Sequence, residues 1–324
     1  MNKKNSLLDI KHLKKYFKTS RGLLHAVDDI SFTIDAGRTL GVVGESGCGK
    51  STLGRTILGL LPATSGEVWF DGEEVSKVRG RKWKELRKDM QIIFQDPMAS
   101  LNPRFTVADT IAEPLKIFHI YKSKAEVEKR VMELMDTVGL AGRLANSYPH
   151  ELDGGRRQRI GVARALATNP KFIVCDEPVS ALDVSIQAQI LNLLQDLQEA
   201  QQLSYLFITH DMSVVKHISD DILVMYLGCV VEKASSNELF QNQLHPYTKG
   251  LIAAIPVPDI DIVREELVLQ GELSSPVNPK PGCRFANRCP YAKELCQRES
   301  PALVEELPNH WVACHYCREI NGLD

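Results

Sequence analysis

The chain has 324 residues, of which 44% are hydrophobic and 25% charged, a composition typical of a globular protein with one sizeable domain and a smaller one. Its formal net charge of -2 gives no general electrostatic reason to bind nucleic acid or anionic lipid, so we expect no nucleic-acid partner. The sequence has no run of about 18 apolar residues and no apolar segment near its start, so we predict neither a membrane span nor a secretory signal.

Short β-rich runs alternate with helical patterns from about residue 7 to 254, which predicts an α/β domain with a largely parallel sheet. The runs are TLGVVG, QIIF, FIVCDEP and SYLFITH. Helical periodicity between the second and third runs predicts a helical insertion at about 98–165. Several prolines follow LIAAIPVPD and break any regular period. We therefore predict one domain at 1–257 and a small C-terminal module at 258–324.

The first chemical motif, GESGCGKST, follows the apolar run TLGVV and precedes a helical pattern. It consists of Gly44, Glu45, Ser46, Gly47, Cys48, Gly49, Lys50, Ser51 and Thr52. This spacing is that of a phosphate loop, in which glycine-permitted turns direct backbone N–H groups at phosphate oxygens. Lys50 is predicted to reach the terminal phosphates and Ser51 to coordinate magnesium.

The second motif is FIVCDEP, an apolar run that ends in Asp176 and Glu177. A buried strand with two carboxylates at its end allows the first to hold the magnesium shell and the second to orient an attacking water. Together with the phosphate loop, this pair predicts hydrolysis of a nucleoside triphosphate. Lys50, Glu177 and His210, which ends the run FITHD, are the predicted catalytic residues.

Further motifs stand in a fixed order around these two. Gln95 follows the strand-like run IIF, and GGRRQRIGVARAL precedes the acidic pair. The acidic pair is followed by Ser180, Ala181, Leu182 and Asp183. Each signal is weak alone, but in this order they resemble the ATP-binding subunits of ABC transporters across residues 7–254.

The resemblance implies a fold and a set of roles. The fold would be a P-loop NTPase core of ABC type, with a RecA-like sheet, an antiparallel β subdomain and the helical insertion. Gln95 would contact the γ-phosphate, the magnesium ion and the membrane subunit, while His210 would contact the γ-phosphate. Asp183 would cross a dimer interface. Phe17, with Tyr16 as the alternative, would stack on adenine.

Three segments narrow the resemblance. FQDPMASLNPR (94–104), HPYTKGLIAAIPVPD (245–259) and the cysteine-bearing tail are similar to the oligopeptide/dipeptide importer branch, which includes nickel importers. That branch implies a second, different ATP-binding subunit, two membrane permease subunits and an extracytoplasmic substrate-binding protein. It also implies a peripheral position on the cytoplasmic face of the cell membrane. The alternatives are a nickel importer ATPase and a regulatory subunit that binds ATP without hydrolysing it.

Five of the eight cysteines lie between 283 and 317. Cys283, Cys289, Cys296 and Cys314 are separated by five, six and seventeen residues. Four thiolates suit zinc or an iron–sulfur cluster, and these spacings are wider than those of structural zinc pairs. Resemblance to the importers adds to the case for a [4Fe–4S] cluster, with zinc or unliganded thiols as alternatives. Cys317 is an alternative to Cys314 as the fourth ligand.

The segment LDGGR departs from the pattern of the family, in which the signature LSGGQ lies against the γ-phosphate held by the other chain. Asp153 replaces the serine and Arg156 the glutamine, while Gly154 and Gly155 are retained. Aspartate is a good helix N-cap, but two unit charges about 4 Å apart repel by roughly 4 kcal/mol at an effective dielectric constant of about 20. We therefore predict that the site this chain completes for its partner is impaired, whereas the site on its own Lys50 is competent.

Overall fold

The structure is a computed structural model that describes residues 6–255 and 275–323. The predicted domain boundary near 258 lies outside these residues and stays a prediction. The chain is divided into two compact units. The first unit consists mainly of Lys77–Ile208, and the second of Leu8–Ile34, Thr39–Ser76 and the residues from Thr209 onward.

The secondary structure of the described residues follows in chain order. The strands are β1 (Ser6–Thr19), β2 (Gly22–Asp35), β3 (Thr39–Val43), β4 (Ser65–Phe70), β5 (Glu73–Glu74), β6 (Met90–Ile93), β7 (Phe172–Asp176), β8 (Ser204–Ile208), β9 (Asp221–Tyr226), β10 (Cys229–Ser235), β11 (Val304–Leu307) and β12 (His310–Val312). The α-helices are α1 (Lys50–Ile57), α2 (Gly80–Asp89), α3 (Pro97–Ser100), α4 (Val107–Ile117), α5 (Lys124–Thr137), α6 (Gly154–Leu166), α7 (Val184–Gln201), α8 (Met212–Ile218), α9 (Ser236–Gln241), α10 (Pro246–Ala253), α11 (Glu294–Arg298) and α12 (Cys317–Asn321). Short 3-10 helices occur at Val75–Lys77, Gly142–Leu144, Pro149–Glu151 and Ala286–Arg288.

The first unit contains a parallel sheet in which β7 lies between β6 and β8. Met90 pairs with Phe172, and Phe172 pairs with Ser204. All five residues of β7 are buried, as expected for a parallel strand covered on both faces. The strand therefore carries Asp176 to the carboxyl edge of this sheet.

Helices α3 to α6 occupy the range in which the sequence predicts a helical insertion. Their starts are fixed by capping side chains: Thr106 accepts the N–H of Asp109, and Ser123 forms a reciprocal capping box with Glu126. Asp153 caps α6 in the same way. Local sequence signals thus define this helical region.

The second unit contains two sheets. One is a four-stranded sheet of order β2-β1-β4-β5, in which β4 is antiparallel to both of its neighbours. In the other, β3 is parallel to β9, while β10 is antiparallel to β9 and to β12. β11 pairs with β12, so the C-terminal strands extend the sheet beyond β10.

An aromatic cluster joins three parts of the second unit. Tyr226 ends β9, Tyr247 lies in α10, and Phe285 belongs to the C-terminal segment. The ring centroids of Tyr226 lie 4.8 Å from Tyr247 and 5.2 Å from Phe285. All three side chains are fully buried, so the C-terminal segment shares the core that surrounds β9.

Of the helices in the described residues, none combines the length and the apolar character needed to cross a bilayer.

Candidate nucleotide site

The phosphate-loop motif lies between β3 and α1 in the second unit. Gly44 and Gly49 have φ of 151° and 108°, in the region that favours glycine. A Cβ at Gly44 would lie 2.1 Å from the carbonyl oxygen of Met225, and one at Gly49 would lie 1.9 Å from that of Ala26. Both positions therefore require glycine for backbone conformation and for space.

The ammonium group of Lys50 lies inside this loop. Its Nζ donates to the carbonyl oxygens of Gly44 at 2.7 Å and Glu45 at 3.0 Å, and the residue is 4% exposed. Ser51 follows in the first turn of α1, whose N-terminus has a positive helix dipole end. The loop thus combines a buried cation with a helix N-terminus, a combination suited to phosphate.

The acidic pair lies at the end of β7 in the first unit. Asp176 is fully buried and Glu177 is 9% exposed. Glu177 has φ of 47°, a left-handed conformation that is uncommon for a non-glycine residue, and its N–H donates to the carbonyl oxygen of Ile208 at 3.0 Å. Gln95 Nε2 donates to Glu177 Oε2 at 2.8 Å. The structure therefore brings Gln95 and Glu177 together.

The LDGGR segment begins α6. Asp153 Oδ1 accepts the backbone N–H of Arg156 at 2.8 Å, and Arg156 Nε lies 3.4 Å from Asp153 Oδ2. The carboxylate is therefore an N-cap in this structure. A Cβ at Gly155 would lie 2.7 Å from Ile186 Cγ2, so this glycine permits close packing of α6 against α7.

Asp183 precedes α7 on an exposed surface of the first unit. Its side chain makes no capping hydrogen bond, and the next residue, Val184, is 82% exposed. This exposure is compatible with the predicted position of Asp183 at an interface.

The two candidates for adenine stacking have different surroundings. The Tyr16 ring stacks on His25 with centroids 3.9 Å apart, and its hydroxyl donates to Asp28. Burial, reinforced by that hydrogen bond, raises the pKa of Tyr16. Phe17 carries Lys15 Nζ 4.6 Å from its ring centroid. Both rings thus have contacts within the chain, and stacking of Phe17 on adenine, with Tyr16 as the alternative, stays a prediction.

The predicted site residues are divided between the two units. Lys50, Ser51 and His210 belong to the second unit, in which His210 is exposed two residues beyond β8. Gln95 and Asp176 belong to the first unit, together with the signature segment.

The C-terminal cysteines lie near one another. Cys283 N–H donates to the carbonyl oxygen of Cys296 at 2.8 Å. Burial raises the pKa of Cys283 to about 12, and the nearby thiols of Cys296, Cys289 and Cys314 add to the rise. Over residues 6–255 and 275–323, no three His, Cys, Asp or Glu side chains are arranged to hold a metal ion.

The described residues therefore contain no arranged ligand set for the predicted [4Fe–4S] or zinc site. The four thiols lie in one neighbourhood but are not arranged around a single metal position. Thiol is nevertheless a donor type that suits such metals. Cys317 is buried in an apolar cluster with Leu244 and Val312. All eight thiols are free.

Two residues that contact the phosphate loop, Arg288 and Tyr247, lie in none of the motifs that predict the nucleotide site. Arg288 makes a bidentate ion pair with Glu45, at 2.8 and 2.9 Å. The hydroxyl of Tyr247 accepts the Glu45 N–H at 2.8 Å. The segment HPYTKG could have indicated Tyr247, because it begins α10 with a capping histidine. Nδ1 of His245 caps the helix by accepting the Tyr247 N–H. Burial lowers the pKa of His245 to about 4, so its ring is neutral and can accept that hydrogen bond.

The fold and these motifs define a phosphate-loop nucleotide-binding protein of the α/β class, and comparisons with known proteins give its family. The family described as ABC transporter matches residues 27–180, and that described as oligopeptide/dipeptide transporter, C-terminal region, matches residues 231–296. The oligopeptide transport ATP-binding protein OppF of Haemophilus influenzae is 51% identical, covering 97% of this chain and 98% of its own. OppF of Salmonella typhimurium is 53% identical, covering 94% and 92%.

A solved structure agrees with these relatives. The dimeric bacterial ABC transporter cassette MJ0796 superposes with a TM-score of 0.65 at 30% identity, covering 71% of this chain and 98% of that one. The chain therefore belongs to the family of ABC transporter ATP-binding proteins. It is an ABC-type ATPase of the oligopeptide transport group, as the sequence analysis predicted.

Proposed function

We propose that this chain hydrolyses ATP on its own phosphate loop and that the hydrolysis powers import of peptides. The observation that carries the proposal is Glu177, which is held in a left-handed conformation at the end of β7 with Gln95 hydrogen-bonded to its carboxylate. Lys50 and His210 would stabilise the γ-phosphate, and Glu177 would position the attacking water. Phe17 would stack on the adenine.

Magnesium would be held by Ser51, Asp176 and Gln95. Their hydroxyl, carboxylate and amide oxygens are ligands that suit this cation. The ion supplies neutralisation of phosphate charge when it is bound. Asp176 fits the role because it is fully buried at a strand end, where a bound cation would compensate its charge.

The proposed assembly is heteromeric and lies on the cytoplasmic face of the cell membrane. It would contain a second, different ATP-binding subunit, two permease subunits and an extracytoplasmic binding protein. Support comes from relatives named as oligopeptide transport ATP-binding proteins and from exposure of Asp183 and Val184, a surface suited to a partner ATP-binding subunit. The test is uptake by vesicles containing the assembled complex, with peptides and Ni²⁺ supplied separately. Import of peptide driven by internal ATP supports the proposal, whereas transport of Ni²⁺ alone would identify nickel as the transported solute.

We also propose that LDGGR weakens the site that this chain completes for its partner. The Asp153 carboxylate would face the partner's γ-phosphate, and its pairing with exposed Arg156 offsets only part of the repulsion. Replacing Asp153 by Ser is expected to raise ATP turnover of the complex by about tenfold, which corresponds to about 1.4 kcal/mol. Steady-state ATPase assays with magnesium would measure it.

The matched control is Asp153→Asn, which keeps the shape and the capping oxygen but removes the charge. If charge is the cause, Asn and Ser raise turnover alike. Unchanged turnover in both variants would show that the aspartate is only a helix cap and would contradict the proposed weakening of the partner's site.

A metal centre at Cys283, Cys289, Cys296 and Cys314 is a further proposal, with [4Fe–4S] first and zinc second. Support comes from the donor chemistry and from backbone N–H groups that hydrogen-bond to three of the sulfurs, those of Cys283, Cys289 and Cys314. Such hydrogen bonds favour the thiolate form that metals require.

We expect anaerobically purified protein to contain iron and acid-labile sulfide in equal amounts, measured by colorimetric assay and visible absorbance. Cys283→Ser should lose both, because it removes a ligand. Cys229→Ser is the control, since Cys229 lies in β10 outside the proposed ligand set. Zinc in place of iron would select the second option, and a colourless protein free of both metals would exclude a metal centre.

A further inference from the structure

Two arginines of the C-terminal segment contact residues in the first part of the chain. Arg284 and Arg288 lie within the short stretch between Cys283 and Cys289. Arg288 contacts Glu45, a residue 243 positions away, and Arg284 contacts Asp28, a residue 256 positions away. Neither arginine takes part in the proposed chemistry, so their contacts need a separate explanation.

Arg288 holds the phosphate loop at its second residue. Both guanidinium NH groups donate to the Glu45 carboxylate, and the Arg288 and Glu45 side chains are 7% and 23% exposed. The Glu45 N–H is bound by the Tyr247 hydroxyl, and the Glu45 carbonyl oxygen accepts from Lys50 Nζ at 3.0 Å. Glu45 is therefore fixed at its side chain, its amide and its carbonyl group. The last of these contacts is to the lysine proposed to bind phosphate.

Arg284 holds the segment next to the proposed adenine-stacking residue. Its guanidinium donates to the carboxylate of Asp28 and to the carbonyl oxygen of Leu227. Asp28 in turn accepts the hydroxyl of Tyr16, which precedes Phe17. The Arg284 and Asp28 side chains are 13% and 17% exposed, so this pair is little screened by water.

Backbone hydrogen bonds connect the two contact regions. The Asp28 N–H donates to the carbonyl oxygen of Gly228, and the Gly228 N–H donates to that of Cys48 in the phosphate loop, both at 2.8 Å. The two arginines thus act on one connected piece of the second unit. A loop that is ordered before its ligand arrives loses less conformational entropy on binding.

We propose that Arg288 and Arg284 are positioning residues for the nucleotide: the C-terminal segment orders the phosphate loop and the adenine side of the site through them. The inference rests on the proposed function, in which the loop around Lys50 binds the phosphates of ATP. It assigns to the C-terminal segment a direct part in nucleotide affinity. Neither arginine touches the reacting atoms.

The test compares ATP affinity and turnover in the assembled complex. Arg288→Ala is expected to raise the KM for ATP and the Kd of a fluorescent ATP analogue by about tenfold, because a bidentate charged pair that orders the loop is lost. The kcat at saturating ATP should stay within about twofold, since a positioning residue acts on binding rather than on the chemical step. Arg288→Lys keeps the positive charge but loses the bidentate geometry of the guanidinium group, so its KM for ATP should lie between those of the parent and of Arg288→Ala.

Arg298→Ala is the matched control in the same segment. Arg298 forms an ion pair with Glu294 in α11, but the two side chains are 72% and 77% exposed and lie outside the contacts with the loop. We expect no change in KM for this variant. A loss of affinity as large as that of Arg288→Ala would show a general effect of the segment and would overturn the specific role.

Glu45→Gln and the double variant provide a second measurement should Arg288→Ala fold poorly. If Arg288 acts through Glu45, the double variant should be no weaker in ATP affinity than either single variant. Additive effects would overturn the inference. Lys50→Ala distinguishes failure of this inference from failure of the proposed function. If Lys50→Ala loses ATP binding while Arg288→Ala keeps the parent affinity, only the inference about the arginines is rejected. If Lys50→Ala still binds ATP, the proposed function is rejected.

Discussion

Replacing Glu177 by Gln is expected to reduce ATP turnover of the assembled complex by about 10²- to 10³-fold, while ATP binding is retained. The expected size follows from the proposed role of the carboxylate in positioning and activating water. Glutamine has nearly the same volume, and its amide oxygen can still accept the hydrogen bond that Gln95 Nε2 donates at 2.8 Å. The substitution therefore removes the charge while leaving the local packing intact. Turnover by phosphate release and affinity by nucleotide titration measure the two effects separately.

Glu133→Gln is a suitable control in the same unit. Glu133 is 48% exposed and lies 3.4 Å from Arg130 on the surface, so its loss should leave turnover unchanged. If Glu177→Gln keeps more than about a tenth of the parent activity, Glu177 is not the group that activates water, because general-base catalysis contributes at least about a hundredfold. Parent protein that binds ATP without hydrolysing it would instead favour the regulatory subunit.

The sequence predicted those parts of the fold that have strong local signals. The apolar runs of β3, β6, β7 and β8 lie within about two residues of their predicted positions. The charged run RGRKWKELRK coincides with most of α2, in which Leu86 is the one buried residue. Such signals are local because burial repeats along the chain with the period of the element.

Contacts across long chain separations had no comparable signal. Nothing near Arg288 indicates that it pairs with Glu45, 243 residues away, since a surface arginine and a clamping arginine look alike in a sequence. The cysteine spacing shows the same limit: four cysteines in one neighbourhood do not reveal whether their sulfurs converge, and no such site is found in the described residues. At Asp153, by contrast, the structure confirms the capping role that local sequence offered.

The second large effect is expected at a buried histidine–carboxylate contact that the sequence did not indicate. Glu232 in β10 and His310 in β12 are both fully buried, with Nε2 of the ring 2.8 Å from the carboxylate. Glu232 also accepts the backbone N–H groups of Leu244 and His245 at 2.7 and 3.1 Å. The carboxylate thus connects β10 with β12 and with the start of α10. Because the carboxylate is fully buried, these hydrogen bonds take the place of contacts with water.

His310→Ala is expected to lower the free energy of unfolding by about 3–5 kcal/mol, because it leaves the buried Glu232 carboxylate without the ring that hydrogen-bonds to it. Urea titration followed by far-UV circular dichroism measures the change. In a Glu232→Gln background the same substitution should cost at least about 1 kcal/mol less, since no buried charge is then left uncompensated. This difference separates the pair from a simple loss of packing around the ring.

His12 and Asp29 provide the exposed counterpart, with a nitrogen–oxygen distance of 2.9 Å and side chains 79% and 55% exposed. Asparagine is the appropriate replacement for His12, because this residue has φ of 48° and asparagine tolerates that conformation. Loss of the exposed pair should change the free energy of unfolding by less than about 1 kcal/mol. Similar losses at the two sites would contradict this expectation, because the nitrogen–oxygen distances, 2.8 and 2.9 Å, are nearly equal and the two pairs differ strongly in burial. A much larger loss at His310 would establish that the attachment of β12 to β10 depends on a charge that water cannot reach.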